Sequence, residues 1–349
     1  MSVADAPLLD AVRTNCRISD ARHARELTLC TYLLAMRDGY RWEHGLDAEA
    51  PLPQASLGAW VAEREAQWDA LEGADYVALP AGDVTVGPFD AAAVNRALTP
   101  RGQVYAAGIG RFGKPQFFLG ELLRDERRDG LRVLVAGREW ARDLAPAPAA
   151  LRADTVVVRQ DALRRWLRGK IEVWAHRRAE GPLARALAAY GIHDSPRPAL
   201  ERMVATETEA LILHEIGEHR AGGALGPDWP AMLAELADRR AELFARAVRD
   251  HLADCLVTLP ALLAQGDEAS LHFWFGNLEG VRRELAPRLV AAGAAFAEGD
   301  RGQALRLAAE GGAAHWHRVA AAVLALYRER GAESATAIAR YGESPAARW

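Results

Sequence analysis

Glu207-Thr208-Glu209-Ala210-Leu211-Ile212-Leu213-His214-Glu215-Ile216-Gly217-Glu218-His219 is the stretch on which the fold turns. It lies in a segment, Pro198 to Ala221, whose pattern predicts a long helix. A helix advances about 100° per residue, so relative to His214 the side chain of Glu218 lies about 40° round the axis and that of Glu207 about 20°. Glu215 and His219 lie about 100° and 140° away. His214 and Glu218 therefore converge, one turn apart, in the geometry by which helical metal sites are built. The zincin motif would need a histidine at position 218, where Glu218 stands, and the reversed motif one at position 215. Glu and His are also common on exposed helix faces, where Glu218 would do no more than pair with Arg220 or a neighbouring element.

A second run of the same chemistry follows at Asp250-His251-Leu252-Ala253-Asp254-Cys255, flanked by Leu243, Phe244, Val248, Leu256, Val257 and Leu259. Two carboxylates and an imidazole in such apolar surroundings are costly to bury unless paired or metal-bound. His251 and Asp254 form an i, i+3 pair of the kind used, with Glu in place of Asp, by helical carboxylate metal sites. If the two helices pack together, His214, Glu218, His251 and Asp254 make a two-histidine, two-carboxylate set for a divalent metal, iron, manganese or zinc. The alternative is a buried ion-pair network with Arg249 or Arg246 as partner. Glu215, directed away from the His214 face, is the candidate catalytic base or orienting group.

Outward from these helices the chain divides by texture. Residues 8–45 and Ser56 to Gly73 carry apolar residues at threes and fours, and Ser19-Asp20 is expected to cap a helix over Ala21–Gly39. His23 and Glu26 accompany Asp20, for which capping is the ordinary role. Short β-branched runs at 76–80, 84–86, 104–107, 117–123, 131–136 and 155–159 predict strands, with Arg124–Gly130 as an exposed hairpin tip and Ala145–Ala153 as a linker. From Asp161 the pattern is helical again, and the tail from about Gly331 reads as loosely held. The fold class expected is α+β, mainly α-helical, with a small, mostly antiparallel sheet in the middle and a helical C-terminal domain. The divisions fall at 1–160, 161–330 and 331–349.

Gly108-Ile109-Gly110-Arg111-Phe112-Gly113-Lys114-Pro115 matches the glycines of two nucleotide-binding loops. Pro115 replaces the Ser or Thr of the P-loop, and strand-like sequence follows where either motif needs a helix, so a glycine-rich turn is expected. His315 and His317 flank Trp316 on a helix where i, i+2 residues diverge. His272-Phe273-Trp274-Phe275 reads as packing rather than a cofactor box.

The chain has 349 residues, half of them apolar, and a formal net charge of −4, so no strong field calls for nucleic acid. Three scattered cysteines, Cys16, Cys30 and Cys255, form no metal or redox pair and favour a reducing compartment. No apolar run is long enough to span a bilayer and no leader is recognisable, so a cytoplasmic protein is expected.

Four runs also carry a resemblance: Asn15–Ala24, Gly110–Pro115, Leu213–Glu218 and Arg249–Pro260. Together they resemble an uncharacterised family of bacterial proteins, a domain of unknown function, from the start of the chain to about Leu289, with an added helical extension beyond. The resemblance implies a bacterial setting and no mechanism. The functional expectation is thus a metal-binding protein, and as an enzyme one whose metal-dependent reaction, oxygen-dependent or hydrolytic, acts on a small molecule. The competing expectation is a non-catalytic binding or regulatory protein whose His, Asp and Glu network is structural.

Overall fold

Leu8, Val12 and Cys16 recur one turn apart and open the first helix, α1 (Ala6–His23), with its apolar face fully buried. The computed structural model describes residues 5–47, 50–110 and 113–349. Ser19-Asp20 does not start a new helix as the capping pattern predicts. Both residues continue α1, and the chain turns only at Ala24–Glu26 before α2 (Leu29–Glu43). Thr28 caps α2 instead, its hydroxyl accepting from the Thr31 amide. Asp20 is held because its carboxylate is already engaged, accepting from the Leu144 amide and from Lys114 Nζ at 2.9 Å.

After α3 (Gln54–Leu71) come a small antiparallel hairpin, β1 (Leu79–Ala81) and β2 (Val84–Val86), and α4 (Ala91–Leu98). Three longer strands follow: β3 (Gln103–Ile109), β4 (Pro115–Arg128) and β5 (Leu131–Arg142). The glycine-rich segment is the turn between β3 and β4, which pair antiparallel from Gln103 opposite Glu121 to Ile109 opposite Pro115. Arg111 and Phe112 in that segment lie outside the described residues. Between β4 and β5, Asp129 and Gly130 both take positive φ, the two-residue turn that the twist of a hairpin favours. The expected linker contains a further strand, β6 (Ala149–Arg152), before β7 (Thr155–Arg159), and the strand order is β3-β4-β5-β7-β6.

Two units are separable by their internal packing. The first, residues 1–127, 132–148 and 157–162, has its core on both faces of the strands. Tyr105, Phe117 and Leu119 pack with α1 and α4 on one face, and Val104, Phe118, Leu134 and Val157 cluster on the other. Asn15 and Asn95 fasten this core by exchanging paired hydrogen bonds with the backbone of Val77 and Tyr105. Burying those amides is tolerable only because both ends are satisfied.

The second unit is helical: α5 (Gln160–Arg177), α6 (Pro182–Tyr190), α7 (Pro196–Leu225), α8 (Asp228–Glu235), α9 (Arg239–Ala253), α10 (Leu259–Gln265), α11 (Glu268–Gly276), α12 (Gly280–Leu285), α13 (Pro287–Ala297), α14 (Gln303–Arg330) and α15 (Ala335–Glu343). The protein is therefore α+β and mainly helical, as its periodicities predict. Its last residues are not a loose tail, because α15 buries Ile338, and the Trp349 indole donates to the Ala308 carbonyl. Among the described residues no helix is long and apolar enough to cross a membrane.

Candidate metal centre in the helical unit

Pro196 and Pro198 begin α7, where their missing amides leave no helical bond unmade. Asp238 begins α9, its carboxylate accepting from the amides of Arg240 and Ala241. These helices carry the two acid and histidine runs, and one small residue on each lets them meet. A Cβ added at Gly217 would lie 2.6 Å from the Ala253 carbonyl oxygen, closer than any real side chain approaches backbone. Gly217 lies between His214 and Glu218, and Ala253 between Asp250 and Asp254, so this close approach aligns the two polar pairs.

The end of α9 widens. Leu259 donates its amide to the Asp254 carbonyl, five residues back, and Asp254–Thr258 forms a single π turn. Pro260 supplies the reason, because it has no N–H and its ring crowds the carbonyl four residues earlier. Such turns are frequent at functional sites.

The side chains of His214, Glu218 and Asp250 bring one donor atom each within 4.8 Å of one another. Asp254 stands behind them, its Oδ1 2.9 Å from His214 Nδ1, while His214 Nε2 is 3.6 Å from Glu218 Oε1. The two ring nitrogens thus have separate partners, and Nε2 is turned toward Glu218. Arg249 donates to Glu218 Oε1 at 2.6 Å and lies 3.5 Å from Asp250, and Arg282 donates to the other oxygen of Asp254.

His251, expected as a ligand, is directed elsewhere. It is fully buried, its Nε2 donates to the Arg282 carbonyl, and its ring stacks on Trp316 with centroids 4.6 Å apart. Adjacent helical residues diverge by about 100°, so α9 can turn only one of Asp250 and His251 toward α7. Asp250 is the one that faces it. His219, about 140° round the axis from His214, is exposed.

The charges sort by partner. Burial opposes ionisation of His214, but Asp254 and Glu218 hold its pKa well above the usual imidazole range. Burial pushes Glu218 up, yet the hydrogen bond from His214 and the charge of Arg249 hold it down at about 2. Asp254 lies below the usual carboxylate range despite its burial, because His214 and Arg282 flank it. Burial, then the Glu218 charge, raises Glu215 to about 7, where it accepts a hydrogen bond from the Leu151 amide of β6. Burial and the Arg282 charge lower His251 to about 3, so it is neutral.

Of the residues chosen from sequence, His214, Glu218 and Asp254 come together, with Asp254 on the far ring nitrogen of His214. Arg282 carried no signal, because a basic residue in a short surface helix is unremarkable until its reach is known.

Residues 7–159 match the N-terminal domain, and residues 164–345 the C-terminal domain, of a family of unknown function, DUF6866. The chain belongs to this family. The C-terminal match runs past Leu289, so the helices beyond it are part of the DUF6866 pattern rather than an extension. Comparison with curated proteins and with solved structures returned no match.

Proposed function

We propose that His214, Glu218 and Asp250 hold a divalent metal ion and that the protein is a metal-dependent enzyme acting on a small molecule. One observation carries this reading: Asp254 takes the Nδ1 side of His214, leaving Nε2 directed toward Glu218. A carboxylate on the outer nitrogen of a ligating histidine fixes its tautomer and strengthens it as a donor. One imidazole and two carboxylates favour iron or manganese over structural zinc, and three protein donors leave coordination positions for water and substrate. Glu215, next to His214 in the chain and accepting from the Leu151 amide, is the candidate group to accept and return a proton. Oxygen-dependent and hydrolytic chemistry are both compatible with such a donor set.

A second reading has its own observation. Arg249, 2.6 Å from Glu218, already balances that carboxylate, as a non-catalytic polar network would require. Metal analysis of protein purified without chelator or a metal-binding tag separates the two. Near-stoichiometric iron or manganese, lost in His214→Ala, supports the metal centre. Metal-free protein whose melting is unaffected by added Fe²⁺, Mn²⁺ or Zn²⁺ rejects it.

A further inference from the structure

The first unit contains a cavity of about 740 Å³, lined entirely by residues of that unit. Its size is that of sites for small organic ligands. Four of the ten tryptophans of the chain line it: Trp42, Trp60, Trp68 and Trp140. So do arginines, which follow from local geometry. Arg13 and Arg17 are one turn apart on α1, and Arg138 and Trp140 alternate onto one face of β5.

Most of the acids in the wall are engaged with partners of their own. Glu43 pairs with Arg64 at 2.6 Å, Glu139 with Arg159 at 2.7 Å and Asp20 with Lys114 at 2.9 Å. Arg13 donates to the Trp140 carbonyl, and neither it, Arg17 nor Arg138 has a carboxylate within 4 Å among the described residues. The wall therefore presents uncompensated guanidinium charge beside indole surface.

Trp68 and Asp143 of the same wall each bury a polar atom. Among the described residues the Trp68 indole N–H is unpaired although the residue is only 7% exposed, and Asp143, fully buried, uses one oxygen on the Phe117 amide and leaves Oδ1 unpaired. Phosphate or sulfate alone would answer the arginines but leave the indole surface unused.

We infer that this cavity is a binding site for a small organic anion bearing a flat unsaturated ring, its anionic group on Arg13, Arg17 and Arg138 and its ring against the tryptophans. The site is independent of the metal centre of the helical unit. Guanidinium groups recognise carboxylate and phosphate through paired N–H donors, and aromatic walls recognise flat rings.

Calorimetric titration of the full chain with adenosine monophosphate and with 2-naphthoate tests this, with inorganic phosphate and adenosine as single-feature controls. At least one ring-bearing anion is expected to bind with Kd at or below about 100 µM, and each control at least about tenfold more weakly. The Arg17→Gln/Arg138→Gln double variant, which breaks no ion pair among the described residues, is expected to melt like the parent and bind at least about tenfold more weakly. Failure of both ring-bearing anions to bind at millimolar concentration, or affinity unchanged in the double variant, would overturn the assignment.

Discussion

Glu207 and Glu218 lie on one helix, three turns apart and within about 20° of the same face, yet one is held protonated and the other ionised. Glu207 is pushed up to about 8 by burial, its carboxyl meeting the Tyr190 hydroxyl at 2.6 Å and the Ser270 hydroxyl at 2.9 Å. Glu218 is held at about 2 by His214 and Arg249. Both are mostly desolvated, so burial alone does not choose between them. Hydroxyls can satisfy a carboxyl but bring it no full charge, whereas an imidazolium and a guanidinium do. The half of α7 that faces α9 is thus an ionic region and the half that faces α6 and α11 a neutral one.

The largest effect should come from the ionic region. Asp254→Ala strands His214 and Arg282 together, and loss of one member of a buried pair costs about 3–5 kcal/mol. Denaturant unfolding measures it, and a loss below that of an average core substitution would mean that the ion pairs are not formed. Gly217→Ala forces α7 and α9 apart at Ala253, and overpacking of this kind costs about 1–3 kcal/mol. That variant should also lose the coupling between His214 and Asp254, so a following Asp254→Ala would cost less than it does in the parent.

The neutral region is exposed by pH. The folded-state pKa of Glu207 is raised from 4.5 to about 8, so folding binds a proton between those values. Its contribution to stability is fully present below pH 4.5 and is lost as pH rises through about 8. The slope contributed is at most about 1.4 kcal/mol per pH unit, and Glu207→Gln should remove it relative to the parent protein. A parent and a variant with parallel stability profiles from pH 5 to 8 would show instead that Glu207 is ionised. Ser270→Ala takes one donor from Glu207 and should cost about 1 kcal/mol.

Much of this helix was legible beforehand. The 100° rule placed His214 and Glu218 together and turned His219 away from them, because it needs only the chain's own geometry. It also kept Arg249 in play as an ion-pair partner. What it lacks is the rotation of one helix about its axis relative to another. His251 and Asp250 are equally flanked by apolar residues, and only the packing of α9 against Trp316 on one side and α7 on the other decides which faces the cluster. The π turn at Asp254 was signalled by Pro260, which marks a disturbed ladder without giving its form. Strands were legible where β-branched residues alternate with turn signals. β6 was hidden because Ala149, Ala150 and Leu151 follow a proline-rich segment and carry no alternation. Asp20 looked like a cap for want of any local hint that Lys114 and Leu144 would reach it.

The proposed metal centre is tested most directly by anomalous diffraction from crystals soaked in Mn²⁺. The result expected is a single strong peak bounded by His214 Nε2, Glu218 and Asp250, with Arg249 displaced from Glu218 and Asp254 still on His214 Nδ1. No peak there, with Arg249 unmoved on Glu218, would contradict it and leave the cluster as a network of buried ion pairs.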